Sequence, residues 1–165
     1  MEKKTLLTFI SLLLLCAQAA VADPEPGLIS GTFFKGPAVG GTQRFIRPDI
    51  LLIRGEQGDG RITGGVLTGL AAYQFREEIL DFTAQIGTFE LIVTITRPHG
   101  SLIRLSLVGF TTGVTPTAST VTVTGTWAVL DATGHDADLK GEGQFTGTEN
   151  FTSGETQGTF VGLVH

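Results

Sequence analysis

The sequence predicts an all-β domain of about eight antiparallel strands, a sandwich or a barrel, preceded by an export signal. Three observations carry this reading. Short stretches of alternating apolar and polar residues recur at roughly regular spacing, separated by glycine-containing turns. The chain has 23 glycines in 165 residues, all beyond the first 22, together with abundant threonine and valine. Glycine costs about 1 kcal/mol relative to alanine inside a helix, whereas threonine and valine fit a pleated strand. The first 22 residues have the layout of a secretory signal and resemble nothing after them.

That signal opens on Glu2, Lys3 and Lys4, a short net-positive start. Leu6 to Leu15 is apolar except for Thr8 and Ser11, a run shorter than the roughly 20 residues a spanning helix needs. Ala20-Val21-Ala22 supplies the small-residue pattern for cleavage between Ala22 and Asp23. An uncleaved anchor would need a longer apolar run. Lipid attachment at Cys16 would need a small residue where Leu15 stands. Residues 23–27, polar and proline-bearing, are expected to form a flexible leader, and 28–165 the single domain. The expected location is secreted or periplasmic.

Cleavage would remove Cys16, the only cysteine, so the domain is expected to rely on its core without disulfides or thiol chemistry. The formal charge is −5, and the signal takes two lysines and one glutamate with it. An acidic surface argues against a nucleic-acid partner, which needs a basic face. No second apolar stretch is long enough for a membrane helix. An outer-membrane barrel would need aromatic girdles, which one tyrosine and one tryptophan do not supply.

Within the domain, Leu28–Phe34 reads as the first strand. Gly36-Pro37 and Gly40-Gly41 mark a loop. Gln43–Arg54 reads as one extended region, and Gly58-Asp59-Gly60 as a tight turn into Arg61–Leu70. Tyr73–Phe82 reads as a strand, although its Arg76-Glu77-Glu78 cluster could also open a helical turn. The firmest element is the hairpin Thr88–Phe110, with Pro98-His99-Gly100 at its tip. Pairing Arg97 with Ser101 sets Ile95 opposite Ile103, Val93 opposite Leu105 and Leu91 opposite Leu107, all on one face. The same register sets Thr94 opposite Arg104 and Glu90 opposite Val108 on the other face. Thr111–Ser119 is a loop. Thr120–Leu130 follows, with Val121, Val123, Gly125, Trp127 and Val129 on one side. Asp131–Asp138 is a polar connection, and Lys140–Thr148 and Thr156–Val164 are the last strands, with Gly154 in the turn between them.

From Val123 onward a more specific pattern appears. Thr124-Gly125-Thr126-Trp127-Ala128-Val129 leads to Asp131-Ala132-Thr133-Gly134, then to Asp138-Leu139-Lys140-Gly141-Glu142-Gly143-Gln144-Phe145, and Gly158-Thr159-Phe160-Val161-Gly162 closes the chain. This stretch of about 45 residues resembles the C-terminal half of small secreted barrels related to allene oxide cyclase and dirigent proteins. The resemblance implies a roughly eight-stranded antiparallel β-barrel with an apolar cavity. In that group the cyclases steer a reactive lipid epoxide by shape, and dirigent proteins steer radical coupling. The cyclases' catalytic motifs are not found here, so no catalytic residue is carried over, and the His135-Asp136-Ala137 insert departs from the compact turn of the group. Independently of the resemblance, Gly141 and Gly143 lie two apart, so both fall on one face of a strand, as bending or close backbone approach requires.

Four residues are candidates for lining a cavity: Tyr73, Glu90, Arg104 and Trp127. Tyr73 and Trp127 could each line a cavity, but by type each is more often an ordinary core residue. The hairpin register puts Glu90 and Arg104 opposite the core face. Asp131, His135, Asp136 and Asp138 share one loop, but their spacing matches neither a calcium loop nor a zinc site, and a solvated acidic loop is expected. His99 and His165 are expected at the surface. Asn150-Phe151-Thr152 fits a glycosylation acceptor. No nucleophile elbow, zinc-protease or phosphate-loop motif is present, and no metal or cofactor is expected. The leading expectation is an exported barrel that binds a small apolar molecule. The alternatives are a cyclase- or dirigent-type protein that steers a reactive intermediate, and a structural or surface-interaction module. A cavity of roughly several hundred Å3 would favour the first two, and a centre filled by side chains the last.

Overall fold

The computed structural model describes residues 26–165. The expected signal, its cleavage point at Ala22 and Asp23, and most of the 23–27 leader lie outside the described residues. Nine strands follow one another: β1 (Gly27–Lys35), β2 (Val39–Arg47), β3 (Ile50–Thr63), β4 (Gly69–Asp81), β5 (Ile86–Thr96), β6 (Leu102–Thr112), β7 (Thr120–Ala132), β8 (Gly141–Asn150) and β9 (Glu155–Val164). Every pairing is antiparallel, and the sheet runs β1-β9-β8-β7-β6-β5-β4-β3-β2. β1 also pairs with the end of β3, from Thr32 opposite Thr63 to Lys35 opposite Gly60. That contact closes eight strands into a barrel. β2 stays outside the ring, bonded to the first half of β3. Closure removes sheet edges, which is how an all-β chain without a covering layer avoids open backbone.

The β5–β6 hairpin has the register read from the sequence, with Ile95 opposite Ile103, Val93 opposite Leu105, Leu91 opposite Leu107, Thr94 opposite Arg104 and Glu90 opposite Val108. The Arg97 amide donates to the Ser101 carbonyl at 2.9 Å across the loop. A short loop and strict alternation leave one register that buries the whole apolar set.

Three readings are corrected around β2 and β3. Gln43–Arg54 is two strands, because Pro48-Asp49 turns the chain back between Arg47 and Ile50. Proline has no backbone N–H for a ladder, so it breaks the run. Gly58-Asp59-Gly60 is the middle of β3, paired with Tyr73, Ala72 and Ala71, and is not a turn. These glycines answer to crowding: a Cβ on Gly60 would collide with the Phe34 carbonyl and lie 2.8 Å from the Tyr73 ring. The turn into β4 comes later, at Gly64-Gly65, where both residues have positive φ and a 3₁₀ turn spans Gly65–Leu67. Gly40 and Gly41 likewise belong to β2 instead of the preceding loop.

The glycine density has one main structural cause. Inward rings lie flat over inward glycines of neighbouring strands. A Cβ on Gly158 would sit 2.7 Å from the Phe33 ring, on Gly109 2.7 Å from Phe89, on Gly125 2.7 Å from Phe145 and on Gly31 2.7 Å from Phe160. Gly143 lies under Trp127 in the same way, 2.6 Å from its indole nitrogen. Such cover compensates strand glycines for their missing side chains and bends the wall around the rings. Edge-to-face pairs then link the rings, Phe33 with Phe145 at 6.0 Å and Trp127 with Phe160 at 6.3 Å, the arrangement aromatic quadrupoles favour. Threonine has its place on the outside: Thr63, Thr32, Thr159, Thr146 and Thr124 stand side by side across five strands.

Candidate functional site

The barrel has two unlike ends. Where β3 gives way to β4, Leu67 drops into the lumen and is 1 % exposed, joining Ile95 and Ile103, both fully buried. That end is apolar and closed. At the other end, where β1, β4, β6 and β8 finish, a second apolar group of Ile53, Leu80, Val114 and Val121 covers one side. The 113–119 connection supplies Val114, which is fully buried. The remaining side of that end is polar, formed by Lys35 of β1, Glu78 of β4, Glu149 of β8 and Thr156 of β9. All four line one cavity together with Phe33, Tyr73, Phe75, Phe89, Trp127 and Phe145.

Each polar side chain reaches the lumen for a local reason. Lys35 follows Phe33 in the inward alternation of β1, and Glu149 follows Phe145 and Gly147 in that of β8. Glu78 is placed by a β-bulge. The β4–β5 register shifts between Phe75 and Glu77, leaving Arg76 as the extra residue. Simple alternation from Tyr73 and Phe75 would turn Glu77 inward. The bulge turns Glu78 inward and sends Glu77 out to Arg54, where the two form an exposed ion pair. Re-aiming a side chain is what such bulges do.

Lys35 is the hub of the polar end. Its Nζ donates to the Gly154 carbonyl at 3.0 Å and the Gly36 carbonyl at 3.3 Å, and stands 3.9 Å from Glu149 Oε1 and 5.5 Å from the centre of the Phe75 ring. Its N–H groups are thus directed at protein acceptors, which makes it a clamp between the β1–β2 and β8–β9 connections. Glu78 has no comparable support. Burial, reinforced by the charges of Glu149 and Glu56 and offset in part by Lys35, pushes its carboxyl from 4.5 up to about 8. Burial also raises Glu149, with Lys35 opposing and Glu56 adding to the rise. Glu78 is therefore mostly a neutral acid at pH 7, able to donate a proton or a hydrogen bond. Tyr73 is raised by burial as well, and its hydroxyl makes one long hydrogen bond to the Phe34 carbonyl at 3.4 Å. Among the described residues, buried side-chain atoms without partners occur on Arg97, Thr111, Trp127, Asp136 and Thr156, and of these residues Thr156 and Trp127 line the cavity, the Trp127 nitrogen lying against Gly143.

The open space at the centre is about 60 Å3. That holds more than one water but is far below the roughly several hundred Å3 of an ordinary ligand pocket. The rings that cover the wall glycines take up the rest. The expectation of a roomy apolar cavity thus becomes a narrow apolar lumen with one polar end.

Of the four residues picked from sequence, the structure brings two together. Tyr73 and Trp127 both face the lumen. Glu90 and Arg104 are on the outer wall, Glu90 paired with Arg76 at 2.7 Å and Arg104 with Asp131 at 2.9 Å. Both pairs are largely solvated, so Glu90→Ala or Arg104→Ala is expected to change stability by less than about 1 kcal/mol. Thermal melts check this, and a loss of several degrees would contradict the outward placement. The loop of Asp131, His135, Asp136 and Asp138 lies at the closed end. Among the described residues no group of three His, Cys, Asp or Glu side chains is placed to hold a metal. One residue of that loop departs from a solvated setting: the Asp136 side chain is only 10 % exposed, 3.6 Å from Arg97 Nε and 3.8 Å from His99 Nε2.

Sequence reasoning missed Lys35, Glu78, Glu149 and Thr156. For Lys35 and Glu149 a signal existed, since each is in phase with inward aromatic and glycine positions on its strand. For Glu78 the phase points the wrong way, because the bulge at Arg76 reverses it. Among the described residues no helix is long and apolar enough to cross a membrane. No protein-family model matches the chain, and no curated protein matches it in sequence.

Proposed function

We propose that this protein is a small-molecule-binding barrel, its ligand a slim, mainly apolar molecule seated in the lumen against the polar end. The single observation that carries this is the convergence of the unpartnered Thr156 hydroxyl with the buried carboxyls of Glu78 and Glu149 on one apolar cavity. Buried polar groups are almost always paired, so an unpaired one beside a raised acid on one open space points to something that pairs them. Trp127 is the only tryptophan and lines that space, so its emission reports occupancy directly. Slim apolar probes are expected to shift Trp127 emission saturably, and native mass spectrometry of protein from its own source to show a bound small molecule. Absence of both would refute ligand binding in the lumen and leave a structural or surface-interaction module.

A second reading has its own support. A cyclase- or dirigent-type protein steers a reactive intermediate by shape and a few polar groups, and Glu78 is an acid kept protonated beside an apolar lumen. This agrees with the sequence resemblance of the Val123–Gly162 stretch. On this reading Glu78→Gln would retain binding and lose steering, whereas a pure binder would show no product difference.

We also infer export. The mature protein is expected to begin at Asp23, which N-terminal sequencing of the exported product checks. A start at Met1 or a lipid on Cys16 would contradict it.

A further inference from the structure

We propose that the ligand is an organic ammonium, with its cationic head between Glu78 and Glu149 and its apolar body along the ring-lined lumen. The inference rests on reading the lumen as a binding site. Its first support is charge. Two carboxyl groups line the polar end, Glu78 and Glu149, the charge of Glu56 acts on both from outside the lining, and Lys35 is the cation that opposes them. Lys35 is already directed at two carbonyls and at Glu149, so it leaves Glu78 without a hydrogen-bonded counter-charge. An anionic head would face the two lining acids. A wholly apolar guest would leave Glu78 and Thr156 unmet, at the cost of burying polar groups unpaired. An ammonium supplies N–H donors to both carboxylates and to the Thr156 hydroxyl, which has no partner among the described residues and is 6 % exposed.

The second support is the wall. Phe33 and Phe75 line the cavity beside these acids, and the Phe75 ring already has an ammonium, that of Lys35, 5.5 Å from its centre. Aromatic faces attract organic cations, and carboxylates with aromatic rings are a natural setting for an alkyl- or arylammonium. A bare metal ion would instead want several oxygen ligands in a close shell, and the lining here is mostly carbon. The small volume favours a short, unbranched body.

The test is a Trp127 fluorescence titration of the purified protein with three probes of similar size at matched ionic strength: n-butylammonium, 1-butanol and butanoate. The ammonium is expected to bind about tenfold or more tighter than 1-butanol, since charge-assisted hydrogen bonds are the stronger class, and butanoate weakest. Ammonium affinity is expected to rise about tenfold from about pH 7 to about pH 9, because Glu78 must release its proton, normally held to about 8. The other groups facing the head, Glu149, Lys35 and Tyr73, face 1-butanol as well, whose affinity should stay level with pH if ionisation of Glu78 sets the trend. Glu78→Gln should remove most of the ammonium preference over 1-butanol and its pH dependence, and Glu149→Gln should lower the preference in the same sense. If 1-butanol or butanoate binds as well as the ammonium, the ammonium assignment is overturned and lumen binding stands. If no probe moves Trp127 emission, the ammonium assignment is overturned, and if native mass spectra also show no bound molecule, lumen binding falls with it.

Discussion

Glu78→Gln is expected to leave the protein more stable than the native chain at about pH 9, and to flatten its pH dependence between about pH 5 and 8. In the folded barrel Glu78 holds its proton up to about pH 8, whereas in the unfolded chain it releases it near the ordinary 4.5. Between these values the folded state binds the extra proton, so native stability falls as pH rises through that window and is lowest above it. Glu149 is displaced upward too and acts in the same direction. The Glu78 contribution alone is on the order of 5 kcal/mol, or roughly 15 °C in Tm for a domain of this size. Glutamine keeps the shape and cannot ionise, so the term disappears. Thermal melts of both proteins at about pH 5, 7 and 9 check this. A native Tm that climbs steadily from pH 5 to 9 would contradict the burial of Glu78.

The second large effect is expected from Gly158→Ala. Gly158 lies opposite Gly147 of β8 on one side and Phe33 of β1 on the other. A methyl group there would collide with the Thr146 carbonyl and stand 2.7 Å from the Phe33 ring. A ring can swing, but a paired backbone carbonyl cannot, so the strands themselves must part. Overpacking of this kind costs about 1–3 kcal/mol and occasionally more, and the backbone contact puts this site near 3. The double variant with Phe33→Leu should recover only part of the loss, because it relieves the ring contact alone. Full recovery would mean that the ring was the whole obstacle. No loss in Gly158→Ala would remove the explanation offered for the glycine-lined wall.

Both expectations depend on how neighbouring strands meet, and this marks the limit of what the sequence shows. The β5–β6 hairpin was legible to the residue, because a short loop and alternation confine the register within one local unit. The inward face of β7 was legible from its alternation, down to Trp127. The break at Pro48-Asp49 had a local cause and was within reach. The role of Gly60 was not, since glycine at a turn and glycine under a ring look alike in one dimension. Only Tyr73 and the Phe34 carbonyl, brought close by barrel closure, distinguish them.

The acids follow the same division. Glu90 and Arg104 drew notice as charges inside a clear hairpin, and that hairpin's own register puts them outside. Glu78 looked like part of a solvated Arg76-Glu77-Glu78 cluster. One extra residue in β4 reverses which of its two glutamates enters the lumen, and a bulge is decided by pairing with β5, not by the composition of β4. By itself, then, the sequence determined an all-β chain of short antiparallel strands with an acidic balance, because strand propensity, alternation and turn chemistry act over a few residues. The tertiary structure alone decided that eight of nine strands close, that rings rest on glycines until about 60 Å3 remains, and that Lys35, Glu78 and Glu149 meet at one end. Those outcomes depend on contacts between residues as far apart as Lys35 and Gly154, which no local pattern records.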